Sequence, residues 1–216
     1  MAHIHLEDGS FTLFWVLVWW AIALAIIALA LIFFRTQRKP DNRRITVAAF
    51  CTAAAFVLFQ VDIPIAGGVH ISLTPLIGIL TGPVIGLFIV FIINILSAAV
   101  GHGGWGMIGA NTLVNLSEVL FAYGLWRGLK PFIKNVFFRA CTATLCGLIL
   151  GNFVMIGIIV LSGIQGVNQS PEQILNGLFL IAAVNTAVAV IEALMTGLVI
   201  SYIGKMRPDL LDTEEK

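Results

Sequence analysis

Four histidines and two carboxylates carry whatever chemistry this chain performs. His3 and His5 lie in MAHIHLEDG, His70 in IPIAGGVHISLTP and His102 in GHGGWG. Imidazole is the usual protein donor to Ni, Co, Cu and Zn, and a terminal amine beside it adds a second strong nitrogen. If the initiator Met is removed, the chain begins Ala2-His3. Its amine, the His3 amide nitrogen and the His3 imidazole can then form fused chelate rings with a fourth corner open to another imidazole. If Met1 is retained, Met1-Ala2-His3 places the histidine third from a free amine, and amine, two amides and imidazole fill the plane without His70. Either arrangement is tetragonal, which suits Ni(II) and Cu(II). A solvated loop position is the ordinary role of one surface histidine; four on one face, two of them beside a free amine, favour a metal site. Glu118 and Glu192 fall inside apolar segments with no basic residue at similar depth. They must be protonated or hydrogen-bonded to neighbours such as Asn111, Asn115 or Asn185. Helix-to-helix hydrogen bonding and a proton or ion path are both open to them.

The elements that position these groups are membrane helices. Hydrophobic residues make up 59% of the chain and charged ones 11%, and the mean hydropathy is +1.02, so too little polar surface remains for a water-soluble domain. Spanning a hydrocarbon core takes about 20 apolar residues. Phe11–Phe34 meets that length, with Trp15, Trp19 and Trp20 towards its first end, where amphipathic rings favour the interface. The segment 35–44, RTQRKPDNRR, is cytoplasmic by the positive-inside rule, which puts the N-terminus outside. Arg127, Lys130, Lys134 and Arg139 bracket a second inner loop, and Lys205, Arg207 and Lys216 lie in an inner tail, 205–216. Crossings are expected at 11–34, 45–61, 71–81, 84–100, 107–126, 140–162 and 174–204. The fold class is thus all-α integral membrane, seven transmembrane helices in one domain over 1–216, with residues 1–10 outside as a metal-binding N-terminus and the C-terminus cytoplasmic. All Lys and Arg then lie on one side and all four histidines on the other. The weak member is Ile71–Thr81, about 16 Å long before Gly82-Pro83 and too short to span alone. It either lines the binding site as an interrupted segment or runs on past Pro83 as one tilted helix.

Several classes are disfavoured. There is no GxxxxGK[ST] phosphate loop, so no nucleotide bound in that way, and no HExxH or GxSxG motif. A nucleic-acid partner is not expected. Met1–Ser10 has no basic residue and the apolar run after it exceeds a signal-peptide core, so the N-terminus is expected to stay attached. Cys51, Cys141 and Cys146 lie in or beside predicted helices, where free thiols are the default. Ala49-Phe-Cys-Thr-Ala53 is a small-xxx-small pattern that permits close helix approach within the bundle or to a partner.

These residues resemble the CbiM/NikM family, the membrane substrate-capture component of energy-coupling-factor transporters for cobalt and nickel. The resemblance covers nearly the whole chain. Family members begin with a histidine, an aliphatic residue, an acidic residue and Gly, a pattern found here in His5-Leu6-Glu7-Asp8-Gly9 or, with a gap, from His3-Ile4. The loop IPIAGGVHISLTPLIGILTGP carries His70 where the family has a metal-ligand histidine. GHGGWGMIGANTLVN matches a third segment through Gly103, Gly104, Gly109 and Asn111. The resemblance implies a site of the N-terminal amine, its adjacent histidine and His70, with Met1, Ala2, His3 and His5 carried as alternatives because extra residues precede the pattern. His102, Asn111 and Glu118 are outer candidates. It also implies Ni(II) or Co(II) as cargo, with ATP hydrolysed elsewhere: partners would be a transmembrane coupling subunit, a pair of ATP-binding-cassette ATPases and a small membrane accessory protein. Two other readings stand beside it. A vitamin-binding component of the same superfamily would want an aromatic or polar pocket. A membrane-embedded enzyme would need Glu118, Glu192 and the outer histidines to converge through a large re-entrant loop.

Overall fold

Six helices account for most of the chain in the computed structural model, which describes residues 8–36, 42–61, 70–164 and 171–211. They are α1 (Leu13–Thr36), α2 (Asn42–Phe59), α3 (Thr74–Ala99), α4 (Ile108–Gly128), α5 (Val136–Ser162) and α6 (Pro171–Met206), with short 3-10 turns at Trp105–Met107 and Pro208–Leu210. Among the described residues there is no strand. α1, α5 and α6 are each long and apolar enough to cross a membrane, as is α3 over its summed length, whereas the apolar part of α2, Ile45–Phe59, is shorter. The exposed surface of α1 is almost entirely aliphatic and aromatic, including Leu13, Phe14, Leu17, Leu29 and Ile32. Lipid tolerates such a surface and water does not.

The two segments expected at 71–81 and 84–100 form one interrupted helix. Gly82 has φ 76 and ψ 178 inside α3, a conformation open essentially to glycine alone. Pro83 follows it, lacks an N–H and disfavours a helical residue before it. A Cβ placed on Gly78 would lie 2.5 Å from the Val119 carbonyl oxygen, and one on Gly86 would lie 2.7 Å from Val119 Cγ1 and 3.5 Å from Ile77 Cγ2. Those glycines would be about 12 Å apart along a straight helix, so the limb after Gly82 doubles back along the limb before it. The stretch is thus interrupted, and it does not run on past Pro83 as one tilted helix. The first limb, 74–81, is only about 12 Å of helix and does not cross a bilayer by itself.

Close approach of α4 to its neighbours depends on absent side chains. A Cβ on Gly109 would sit 2.6 Å from the Trp20 nitrogen in α1, and one on Gly147 would sit 3.1 Å from the Ala122 nitrogen. Of the apolar clusters among the described residues, the two largest lie around Phe11, Trp19, Met107 and Leu148 and around Ile77, Val119, Ala140 and Ile200. On α4, Asn115 and Glu118 stand between Val114 of the first cluster and Val119 of the second. On α6, Asn185 and Glu192 fall between Leu178 and Ile200. The bundle thus carries a polar belt across its interior.

Candidate metal centre

His70 is not a surface-loop residue. Its exposure is 0%, because the stretch 70–73 runs non-helically into the bundle before α3 begins at Thr74. Irregular backbone at that depth is tolerated where protein encloses it, and here the polar belt supplies the enclosure. Glu192 accepts from both the Ser72 amide, at 3.2 Å, and the Ser72 hydroxyl, at 3.1 Å. Glu118 accepts from the Thr74 hydroxyl, and the Ser72 and Thr74 hydroxyls lie 2.9 Å apart. Between them Leu73 sits at φ 56 and ψ 14, a left-handed conformation costing a residue other than glycine about 1–2 kcal/mol. The carboxylates therefore bond to the His70 strand, rather than to the asparagines expected as their partners. Two of those asparagines bond to other polar side chains of the interior: Asn115 Nδ2 donates to Asn94 Oδ1 at 3.4 Å, with Asn94 Nδ2 donating on to Thr112 Oγ1 at 3.3 Å, and Asn185 Nδ2 donates to Asn152 Oδ1 at 3.0 Å.

His102 stands next to His70. The two rings are 5.3 Å apart between centroids and edge to face. Phe59, at the end of α2, lies 4.4 Å from the His70 ring and 6.1 Å from that of His102. The His102 amide donates to the Ser97 carbonyl at 2.9 Å, and Gln60 Nε2 donates to the Ser97 hydroxyl at 3.0 Å. Gly101 and Gly103, at φ 81 and 82, supply the left-handed turns on either side of His102. The ends of α2 and α3 are thereby joined around the histidine pair.

The same loop holds Asp8. Asp8 Oδ1 accepts from the Gly106 amide at 2.7 Å and Oδ2 from the Trp105 amide at 3.1 Å. A side chain on Gly104 would collide with the Asp8 carboxylate. Trp20 Nε1 donates to the Trp105 carbonyl at 3.2 Å, and Trp19 Nε1 donates to the Ser162 hydroxyl at 2.8 Å, so these tryptophans brace the His102 end of the bundle, and Trp19 does so from the core rather than from an interface position. Met1, Ala2, His3 and His5 lie outside the described residues. Asn111 is half-buried on the first turn of α4. Glu118 and Glu192 are each 0% exposed. Asp8, Phe59, Ser72 and Thr74 were not singled out from sequence, although Asp8 is the acidic residue of the N-terminal pattern and Ser72 and Thr74 follow His70 at two-residue spacing.

A helical membrane protein that seats a buried histidine against a half-buried one, with Asp8 fastened to the loop that bears the second, has the makings of a ligand site at that end. The sequence profile described as cobalt uptake substrate-specific transmembrane region, CbiM, matches residues 5–210. The chain belongs to this family of membrane-embedded, substrate-specific components of cobalt uptake. It is 30% identical over 148 residues to the cobalt transport protein CbiM of Carboxydothermus hydrogenoformans, covering 67% of this chain and 61% of that one. It is 26% identical over 211 residues to the cobalt transport protein CbiM of Salmonella typhimurium, covering 94% and 84%. Its fold matches the crystal structure of a transition metal transporter with a TM-score of 0.78 at 19% identity, over 94% of this chain and 93% of that one.

Proposed function

We propose that this chain captures Co(II) or Ni(II) at the outer face of the membrane, using nitrogen donors from its N-terminus and from His70. It would serve an energy-coupling-factor transporter whose coupling subunit, ATPase pair and small membrane accessory protein supply the rest. The observation that carries this reading is the convergence of three pieces of chain: buried His70, His102 against it, and Asp8 fastening the N-terminal segment to the loop that bears His102. The plane is completed by the terminal amine with His3 or His5, His70 supplying the remaining corner when the amine-side set leaves one open. Orientation follows the charge: N-terminus outside, basic ends inside, with seven membrane segments when the limbs of α3 are counted separately, the first of them too short to cross by itself. Ala49 and Ala53 are exposed on α2, which leaves that small-residue face available to a partner subunit. The convergence of Glu118 and Glu192 on the His70 strand removes one argument against a membrane enzyme, but membership in a family of uptake components supports transport.

The test is a pair of tags. A tag before Met1 turns the amine into an amide and adds bulk ahead of Asp8, whereas a tag after Lys216 extends the other end of the chain. Radiolabelled Co(II) or Ni(II) uptake should be lost with the first and kept with the second, with both proteins present in the membrane. Equal uptake would remove the terminal amine from the ligand set. Metal analysis of the purified C-terminally tagged protein distinguishes cobalt from nickel.

A further inference from the structure

We infer that Glu118 and Glu192 are positioning residues for His70, acting through Thr74 and Ser72 to hold the histidine's strand in its metal-binding conformation; this rests on the proposed function. Glu192 takes both hydrogen-bond donors of Ser72, main chain and side chain. Two hydrogen bonds to one carboxylate fix the orientation of the residue that makes them. Glu118 takes the hydroxyl of Thr74, the first residue of α3. The two carboxylates come from different helices, α4 and α6, so the strand is pinned on two sides. Leu73, left-handed between the pinned residues, is the mark of such a clamp, since an unfavourable conformation persists only where its surroundings over-determine it. Two residues before Ser72, His70 has little freedom of its own. The polar belt that expels neither carboxylate to solvent is, on this reading, the outer support of a ligand, the role in which hydrogen-bonded partners tune affinity without touching the ion. It also gives α4 and α6 a direct grip on the site: a displacement of either helix shifts His70.

The first two variants that test this leave both carboxylates in place. Thr74→Val is nearly isosteric and removes the hydroxyl that donates to Glu118; Ser72→Ala removes the hydroxyl that donates to Glu192 and accepts from the Thr74 amide, and either change ends the contact between the two hydroxyls. Ni(II) and Co(II) affinity would be measured by calorimetry on full-length purified protein, alone and combined with His70→Ala. The double variant Ser72→Ala/Thr74→Val should bind about tenfold more weakly, the lower end of what removing an outer-shell hydrogen bond does to a metal site, and should add nothing once His70 is already Ala. Glu192→Gln, which keeps an acceptor oxygen for Ser72, should bind near the wild-type level where Glu192→Leu does not. Loss of equal size with and without His70 would mean general loosening of the bundle and overturn the inference, as would unchanged affinity in the double variant while His70→Ala weakens binding. If His70→Ala itself binds as wild type does, the role of His70 under the proposed function fails first, and the clamp with it.

Discussion

His70 and its aromatic neighbour separate ligation from packing. The ring fills the space between Phe59 and His102, so His70→Ala removes both ring nitrogens and leaves a void, whereas His70→Phe removes both nitrogens and keeps an aromatic ring, a slightly larger one, against Phe59. Both should lower Co(II) or Ni(II) affinity by at least about tenfold, roughly 1.4 kcal/mol, and the Phe variant should be the more heat-resistant of the two. Titration calorimetry paired with thermal unfolding in detergent reads both quantities. Wild-type affinity in His70→Phe would show that the ring serves packing alone. At this scale the sequence was legible where residue type is chemically rare: a histidine in an apolar chain announces itself. It was illegible where the partner is common. Nothing in Ser72 or Thr74 as residue types distinguishes them from the other hydroxyls of the chain, and their pairing with Glu192 and Glu118 joins positions 120 and 44 residues apart. Only the folded arrangement brings them together.

At the scale of elements, two glycines do different work and should fail differently. Gly82 needs no space: a Cβ there would have Tyr123 Cε2 at 3.8 Å as its nearest neighbour. Its φ of 76 with ψ 178 is what an L side chain resists, at a cost of about 1–3 kcal/mol. Gly109 is the reverse case, since its Cβ would meet α1 backbone at 2.6 Å and neither helix backbone can yield cheaply. Gly82→Ala should therefore lower the unfolding temperature modestly while the α1 contact stays intact. Gly109→Ala should separate α1 from α4 and be the more damaging substitution. A Gly82→Ala protein as stable as wild type in a detergent melt would show that the reversal in α3 does not depend on glycine. Length and hydropathy located every helix to within a few residues, because a bilayer demands uninterrupted apolar runs. They left the stretch around Gly82-Pro83 open between two readings. Local sequence marks a break there but not its direction; that is set by Val119 of α4, against which both limbs pack.

For the whole molecule, charge and helix ends give one consistent polarity. Asp8, Gln60, His70, His102 and Ser162 gather at one end through the contacts described above. Arg35 closes α1, Lys130 and Lys134 lie between α4 and α5, and Lys205 and Arg207 end α6. At this second end a Cβ on Gly204 would lie 3.2 Å from Leu211 and 3.7 Å from Val136, so the close of α6 and the start of α5 share a level. Basic residues are retained on the cytoplasmic side during insertion, so the proposed function expects the histidine end outside, where an imported ion would first be met. Val100, exposed at the outer end of α3, and Lys134, exposed in the loop before α5, are suitable reporters because neither is packed in the bundle. With Cys51, Cys141 and Cys146 replaced, Val100→Cys should react with a membrane-impermeant maleimide on intact cells, and Lys134→Cys should react only after the membrane is opened. The reverse pattern would place the histidine pair in the cytoplasm. Capture from outside would then be untenable, however well the purified protein bound its metal.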